Sequence, residues 1–557
     1  MSRRASCAFG LLLLACGGTP APPASPAADA VVLSVVGTND LHGRVHALPV
    51  FGGYLDTLRA ARADDGAVIL LDGGDMFQGT LESNLAEGAP VVAAYQALGY
   101  DAVTIGNHEF DYGPEGPASV PQEEGDDPRG ALRARARGAS FPFLTANLLQ
   151  ESGERVAWEN APPSVLLERA GVAVGVIGVT TEETLRTTIA ANVADLRMAP
   201  LAERIAREAE ALRGRGAQVI LVAAHAGGEC EAFDDPDDLS ACDPSAEIFA
   251  VARALPAGAV DVIVGGHTHE GVAHVVNDIA IIESYAYGRA FGRVDLVVAP
   301  DGGVLERRVH APRELCATGE PSAGDCVPGD YEGRAVAPDP EVAELVAPAI
   351  EAARGARERP LGVTLTAPFT QTRYAENALG NLFTDLMRAA HPEADVALTN
   401  GGGLRADLPA GPLTYGALYL AFPFDNRFAT LEVTGAQLAA IVRENLEDDG
   451  SFFSLSGVRA VARCEGGALE VTLTREDGAP IAPDARLVLV TTDYVATGGD
   501  GFEAADVTVH EAHEARTVRD GMSVALEAVG GQLAPGERFD PRAPRVFYEG
   551  SRPLRCR

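Results

Sequence analysis

The sequence predicts an α/β protein: a layered N-terminal domain built on buried strands, then a linker helix, then a second, α+β domain. Three observations predict it. From about Val31 to Gly292, short β-branched apolar runs end in loops that contain Gly or Asp, which is how buried strands read. Helical segments alternate with those runs, the pattern of a layered α/β domain. Beyond about residue 335 the texture changes to mixed strands and helices with a new set of Gly-rich loops. At 557 residues the chain is too long for one ordinary domain, and its 46% apolar fraction suffices to bury large cores.

The N-terminal stretch MSRRASCAFGLLLLACGG has two Arg, a short apolar run and the tetrapeptide Leu13-Leu14-Ala15-Cys16. It is too short to span a bilayer and reads as a signal peptide over residues 1–15. The tetrapeptide resembles a bacterial lipobox, in which the Cys is lipidated after cleavage; the plainer alternative is a secretory signal with a chance Cys. An anchor at Cys16 implies an exported protein, periplasmic or at the cell surface, tethered to the outer membrane. Residues 16–30, rich in Pro and Ala, read as the tether.

The first domain is assigned to residues 31–335. Its strand-and-loop units are VVLSVVGTNDLH, AVILLDGGD, DAVTIGNHEFD, QVILVAAHAGG and VDVIVGGHTH. Between them LAERIAREAEALRGRG places Leu201, Ile205, Ala209 and Leu212 on one helical face. Residues 336–360 hold a linker helix in PDPEVAELVAPAIEAARGAR, and residues 361–557 form the second domain with TNGGGLR and VATGGDGF. Functional loops of open α/β sheets cluster beyond the carboxyl ends of the strands, where all five units carry their polar residues.

The formal net charge is −35, and every basic residue other than His is Arg. Such acidity argues against binding of nucleic acid polymers through their phosphates, but not against a small anion held by a local positive centre. Beyond Cys7 and Cys16 the cysteines are Cys230, Cys242, Cys316, Cys326, Cys464 and Cys556. An even number in an exported chain points to disulfides. Proximity favours Cys230–Cys242 and Cys316–Cys326, leaving Cys464–Cys556.

The loops after the five runs carry Asp40 and His42, then Asp75, then Asn107, His108 and Asp111, then His225, and finally His267 and His269. Five of the chain's eleven His lie in these motifs. Carboxylates, imidazoles and an amide without thiolates suit Zn, Mn, Co, Ni, Fe or Mg. They are too many for one tetrahedral ion, whereas two ions sharing a carboxylate use them economically. Taken singly each fragment is weak: Asp75 has the alternative of a helix cap, Asn107 and Asp111 of turn residues, and His225 of a structural His. Their order on successive strand ends carries the reading.

TNDLHGR, GGD, GNHEFDYG, FPFLTANL, GGHTH and GRAFGRVDL resemble, in order, the motifs of the bacterial periplasmic 5′-nucleotidase/UDP-sugar hydrolase group of calcineurin-like metallophosphoesterases. The resemblance covers nearly the whole mature chain. It implies a layered β-sandwich metallophosphoesterase domain flanked by helices and followed by an α+β substrate-binding domain that rotates about the linker. It implies Asp40, His42, Asp75 and His269 around one divalent metal, and Asp75, Asn107, His225 and His267 around the other. His108 then faces the substrate phosphate as the catalytic imidazole, with Asp111 holding its ring. FTQTRYAENALGN, TNGGGLR and VTTDYVATGGDGF look like the family's nucleotide-binding motifs. Arg373 and Arg405 are implied as a phosphate clamp, Asn400 as a partner of the base, Phe424 and Tyr494 as the rings that sandwich it, and Asp500 as acceptor from the ribose.

The implied activity is phosphate release from nucleoside 5′-monophosphates by water attack. The same scaffold leaves open 2′,3′-cyclic phosphodiester, UDP-sugar or thiosulfohydrolase-like hydrolysis, or a lipid-anchored binding protein without catalysis. Tyr494 departs from the Phe common in relatives, and its hydroxyl bears on substrate preference. The acidic insertion PASVPQEEGDDPRG is expected near the site mouth, where it repels highly charged substrates. DDPDD at Asp234 to Asp238 reads as a solvated loop between Cys230 and Cys242, with Ca²⁺ binding as the alternative.

Overall fold

The computed structural model describes residues 30–116, 118–121, 123, 125–321, 325–502, 508–510 and 517–556. The signal peptide, Cys16 and the tether up to residue 29 lie outside them. Among the described residues no helix is long and apolar enough to cross a membrane.

The first domain is two six-stranded sheets face to face. One runs Val304–Glu314, Ala290–Val298, Val31–Thr38, Gly66–Asp72, Ala102–Thr104, Phe143–Leu144 in spatial order. The other runs Gly271–Val276, Ile279–Ser284, Val262–Val264, Val219–His225, Val172–Thr180, Ser164–Arg169. The strands that lead into the ligand loops are parallel to their neighbours at the heart of each sheet. Alternation of side chains along them decides the layers. Leu33, Val35, Ile69 and Leu71 face Val174, Val176, Leu221 and Val264 in the sandwich core. Val36 and Leu70 point outward to Phe51, Tyr54, Tyr95 and Leu98 on the covering helices.

Helix Leu201–Gly214 covers the second sheet with Leu201, Ile205, Ala209 and Leu212 buried, the face that its periodicity predicts. On the outer face of the first sheet, Ser34 and a buried Arg293–Asp295 pair replace apolar contacts.

Helix Pro340–Arg357 runs between the domains. Asp339 caps it by accepting from Glu341 N and Val342 N at 2.8 and 3.2 Å, and Pro340 occupies its first turn. Val342 and Val346 pack into the first domain's core, and Ala353 into the second's. The second domain centres on a mixed sheet ordered Phe453–Ser456, Val396–Asn400, Arg486–Thr492, Phe428–Thr434, Thr508–His510. Helices Ala378–Ala390 and Val518–Val529 cover one face and helix Gly435–Glu447 the other. Cys230–Cys242, Cys316–Cys326 and Cys464–Cys556 are joined, the pairing that proximity favours.

Candidate active site

All five motifs leave the carboxyl ends of their strands toward one point. Asp40 and His42 follow Val31–Thr38, Asp75 follows Gly66–Asp72, and Asn107 and His108 follow Ala102–Thr104. His225 closes Val219–His225, and His267 and His269 follow Val262–Val264. Two clusters of donors result: Asp40, His42 and His269, and Asp75, His225 and His267.

In the first, His42 Nε2 lies 3.0 Å from His269 Nε2, and His269 Nε2 lies 3.3 Å from Asp40 Oδ1. In the second, His225 Nε2 is 3.2 Å from Asp75 Oδ2 and 2.8 Å from Asn107 Oδ1, and His267 Nδ1 is 3.1 Å from that same oxygen. These are edge lengths of a coordination shell with bonds of about 2.0–2.2 Å. Asp75 Oδ2 also stands 3.8 Å from His42 Nε2, so this one carboxylate faces both clusters.

The hydrogen bonds around the clusters test whether a cation fits. His42 Nδ1 donates to Gln78 O and His225 Nδ1 to Gly73 O, both at 2.8 Å. Each therefore turns a bare Nε2 lone pair inward. Asn107 Nδ2 donates to Thr187 O at 3.1 Å, which turns its Oδ1 inward too. Asp40 Oδ2 accepts from Asn39 Nδ2 and His267 N at 2.8 and 2.9 Å, while Asp40 Oδ1 is buried and accepts no hydrogen bond, facing the His269 and His42 rings instead. Lone pairs face lone pairs across both clusters. Divalent cations satisfy that arrangement, so the residues fit the metals.

Electrostatics point the same way. Burial pushes the His225 imidazole down, but Asp75 and Asp40 pull it up to about 10. Burial raises Asp40, yet His269 and His225 hold it at about 2. The carboxylates thus stabilise positive charge among the imidazoles, and the imidazoles stabilise the ionised carboxylates. The backbone stores strain here as well: Asp40, His42, Asp75, His267 and His269 have φ of 48, 48, 57, 85 and 63°. Left-handed residues other than Gly cost about 1–3 kcal/mol each and persist where the surroundings over-determine them. Gly106 shows how tight the loops are, since a Cβ there would lie 2.2 Å from Asp75 Oδ1.

His108 stands beside the clusters. Its Nδ1 meets Asp111 Oδ2 at 2.6 Å, and its backbone N–H donates to Asp75 Oδ1 at 2.8 Å. Burial lowers the imidazole's pKa, and the Asp111 and Asp75 charges outweigh it and raise it above the ordinary value. Asp111 Oδ1 accepts from Thr188 Oγ1 at 2.8 Å, so its carboxylate is held on both sides.

A cavity of about 150 Å³ joins the two domains. Its walls include Asp75, Asn107, His108, His267 and His269 from the first domain. The second contributes Arg373, Asn400, Arg405, Phe424, Tyr494 and Asp500. Phe424 lies 5.5 Å from the His108 ring, and the Arg405 guanidinium lies over Phe424 at 5.7 Å. Asn400 Nδ2 donates to Asp500 Oδ2 at 2.5 Å. Asp500 has φ 50°.

No described residue of the acidic insertion lines the cavity, but Asn192 Nδ2 donates to both Phe110 O and Ser119 O and so holds the segment beside the His108 loop. Asp75 does not cap the helix that follows; Thr80 does, at Leu81–Asn84. The DDPDD loop lies within the Cys230–Cys242 bridge, with Pro236 O accepting from Val275 N.

Several site residues escape sequence reasoning. Glu109, 1% exposed, accepts from Asp75 N, Met76 N, Phe77 N and Gly106 N. Glu283, equally buried, accepts from Gly228 N and Thr268 Oγ1, tying the His225 loop to the His267–His269 loop. Glu183 reaches His267 Nε2 at 3.5 Å. Residues 183–189 contribute four lining residues. Glu109 lies inside GNHEFDYG, but a carboxylate in a Gly-rich loop ordinarily faces water, and its burial is seen only in the fold.

Known proteins resemble this chain in sequence and fold. Residues 33–271 match the calcineurin-like phosphoesterase family, and residues 360–506 match the 5′-nucleotidase C-terminal domain. The chain is 27% identical to protein UshA of Yersinia enterocolitica over 509 residues, 85% of this chain and 87% of that one. It is 25% identical to a 5′-nucleotidase of Vibrio cholerae over 516 residues, 84% and 85% of the two chains. Among solved structures, a 5′-nucleotidase precursor from Thermus thermophilus superposes with a TM-score of 0.71 at 23% identity, over 93% of this chain and all of that one. That last likeness is one of fold.

Proposed function

The chain belongs to the family that joins a calcineurin-like phosphoesterase domain to a 5′-nucleotidase C-terminal domain, and from that premise we propose that it is an exported phosphohydrolase that releases phosphate from nucleoside 5′-monophosphates. One observation carries the reading: a single cavity is lined by members of both donor clusters, His269 of one and Asp75 and His267 of the other, and by the Arg, aromatic and acidic residues of the second domain. Phosphate chemistry and nucleoside recognition then meet at one place.

Asp40, His42, Asp75 and His269 would hold one divalent ion, and Asp75, Asn107, His225 and His267 the other. Bound there, the two ions supply positive charge that polarises the phosphate and acidifies water.

The chain's own residues do the rest. Arg373 and Arg405 clamp phosphate oxygens with planar guanidinium forks. His108 has Nδ1 committed to Asp111, so Nε2 carries the proton toward the departing oxygen. Phe424 and Tyr494 stack the base, an interaction worth about 1–3 kcal/mol that tolerates different bases. Asp500 accepts from the ribose hydroxyls, and Asn400 steadies it while keeping Oδ1 for the base.

Export is supported by three disulfides and by the leader read at residues 1–15. Lipidation at Cys16 would then hold the enzyme at the outer membrane. Domain limits of 31–335 and 361–557 flank helix Pro340–Arg357. The deciding experiment is phosphate release across a panel of nucleotides, nucleotide sugars, cyclic nucleotides and thiosulfate esters, with chelation and metal add-back. Nucleoside 5′-monophosphates should be hydrolysed fastest, with activity lost to chelator and restored by metal. Silence on the whole panel after metal loading refutes the assignment.

A further inference from the structure

Residues 186–188 form three successive contacts with different parts of the site. Arg186 O accepts from the Tyr494 hydroxyl of the other domain at 3.2 Å. Thr187 O accepts from Asn107 Nδ2 at 3.1 Å. Thr188 Oγ1 donates to Asp111 Oδ1 at 2.8 Å, and Asp111 in turn holds the His108 ring. One short segment thus lies between a substrate-facing ring and the catalytic imidazole.

The Tyr494 hydroxyl has a second neighbour, Asp500 Oδ1, at 3.3 Å. A phenol has one proton to donate, and both neighbours are acceptors. The hydroxyl therefore serves either Arg186 O or Asp500, not both. The ring itself is fixed: a Cβ at Gly499 would lie 2.5 Å from its Cε1, so Tyr494 lies flat against a residue that has no side chain.

We propose that Tyr494 is a positioning residue that couples ribose occupancy to the His108–Asp111 pair. It rests on the nucleotide reading above. When ribose hydroxyls donate to Asp500, that carboxylate no longer needs the phenol, and the Tyr494 proton goes to Arg186 O. The second domain is then fastened to residues 186–188, and Thr188 and Thr187 hold Asp111 and Asn107 in register. A substrate without ribose leaves the phenol divided between its two acceptors. The hydroxyl is a specificity element for nucleosides that acts through the catalytic dyad rather than through contact with phosphate.

The test is a double-mutant cycle in kcat on a nucleoside 5′-monophosphate and on p-nitrophenyl phosphate, using the full-length, metal-loaded enzyme. Tyr494→Phe keeps the ring and removes the proton; Thr188→Val removes the far end of the link. Each should lower kcat on the nucleotide by about five- to tenfold, the worth of one net hydrogen bond, with a smaller change in KM. The double variant should lose no more than the worse single variant. Thr188→Ser should restore the loss, and the fall on p-nitrophenyl phosphate should be smaller.

Multiplicative losses in the double variant overturn the coupling, as does a Tyr494→Phe effect confined to KM. A Tyr494→Phe loss that vanishes in an Asp500→Ala background but persists in Thr188→Val assigns the hydroxyl to Asp500 alone and also overturns it. A wild-type enzyme inactive on every nucleotide fails the functional reading itself, whereas an active wild type with multiplicative losses fails only this inference.

Discussion

Glu109→Gln isolates the device that holds the two halves of the site together. The native carboxylate accepts four backbone N–H groups: Asp75 at 2.8 Å, Met76 at 2.7 Å, Phe77 at 3.3 Å and Gly106 at 2.7 Å. Met76 and Phe77 use Oε1, and Asp75 and Gly106 use Oε2. A Gln keeps one oxygen and so serves only one of these pairs. Its NH₂ then points donors at the other two N–H groups, in a site that is 1% exposed. Two orphaned buried donors at about 1–3 kcal/mol each, less the relief of burying an uncharged side chain, give a cost of about 2–4 kcal/mol. The loops involved carry Asp75 and the Asn107–His108 pair, so activity should fall by about 10–100-fold, as for lost groups that orient metal ligands. Urea unfolding of the metal-stripped protein, compared at unchanged m-value, reads the stability term. Steady-state turnover of the loaded enzyme reads the other. A midpoint equal to wild type together with full turnover would refute the account of Glu109 as the tie between loops.

Phe424→Ala should raise KM for nucleoside monophosphates by about 10-fold or more, from the 1–3 kcal/mol of a stacked base, and raise it far less for p-nitrophenyl phosphate; equal increases remove the stacking role. Asp295 tests pH linkage away from the site. Burial alone would raise its pKa, but His310, Arg293 and Ser34 hold it well below the ordinary carboxylate range. A depressed carboxylate contributes stability above its unfolded value of about 3.9, and that contribution is lost as pH falls through the folded value. Asp295→Asn should therefore cost about 3 kcal/mol at neutral pH, with the gap to wild type closing below about pH 4; a gap that is independent of pH in urea titrations contradicts the linkage.

What the sequence revealed depended on periodicity and order. Buried parallel strands read as continuous β-branched runs, so VVLSVVGT and QVILVAAH announced both their burial and the loops at their ends. Leu201, Ile205, Ala209 and Leu212 announced the face of their helix. Contacts that join residues far apart in the chain left no such trace. Gln78 Nε2 donates to Pro423 O at 2.7 Å across the domains, and Tyr494 reaches Arg186 in the same way. Neither has a local pattern, because each depends on how the domains meet. Glu109 and Glu283 were invisible for another reason. A carboxylate in a Gly-rich loop ordinarily faces water, and only the fold shows that these two are buried among N–H donors. The acidic insertion left no sign in the sequence of how it is held: Asn192, 73 residues beyond Ser119, ties Ser119 O to Phe110 O beside His108, and none of the insertion's described residues enters the cavity.

The claim on which the rest depends is that Asp75 faces two cations at once, its Oδ2 standing 3.2 Å from His225 Nε2 and 3.8 Å from His42 Nε2. The most direct measurement is the number of divalent ions bound per folded chain, by equilibrium dialysis and elemental analysis, for wild type and Asp75→Ala. Two ions per chain in the wild type, and at most one, weakly held, in a folded Asp75→Ala, is the predicted result. Two ions retained at undiminished affinity without the Asp75 carboxylate would contradict it.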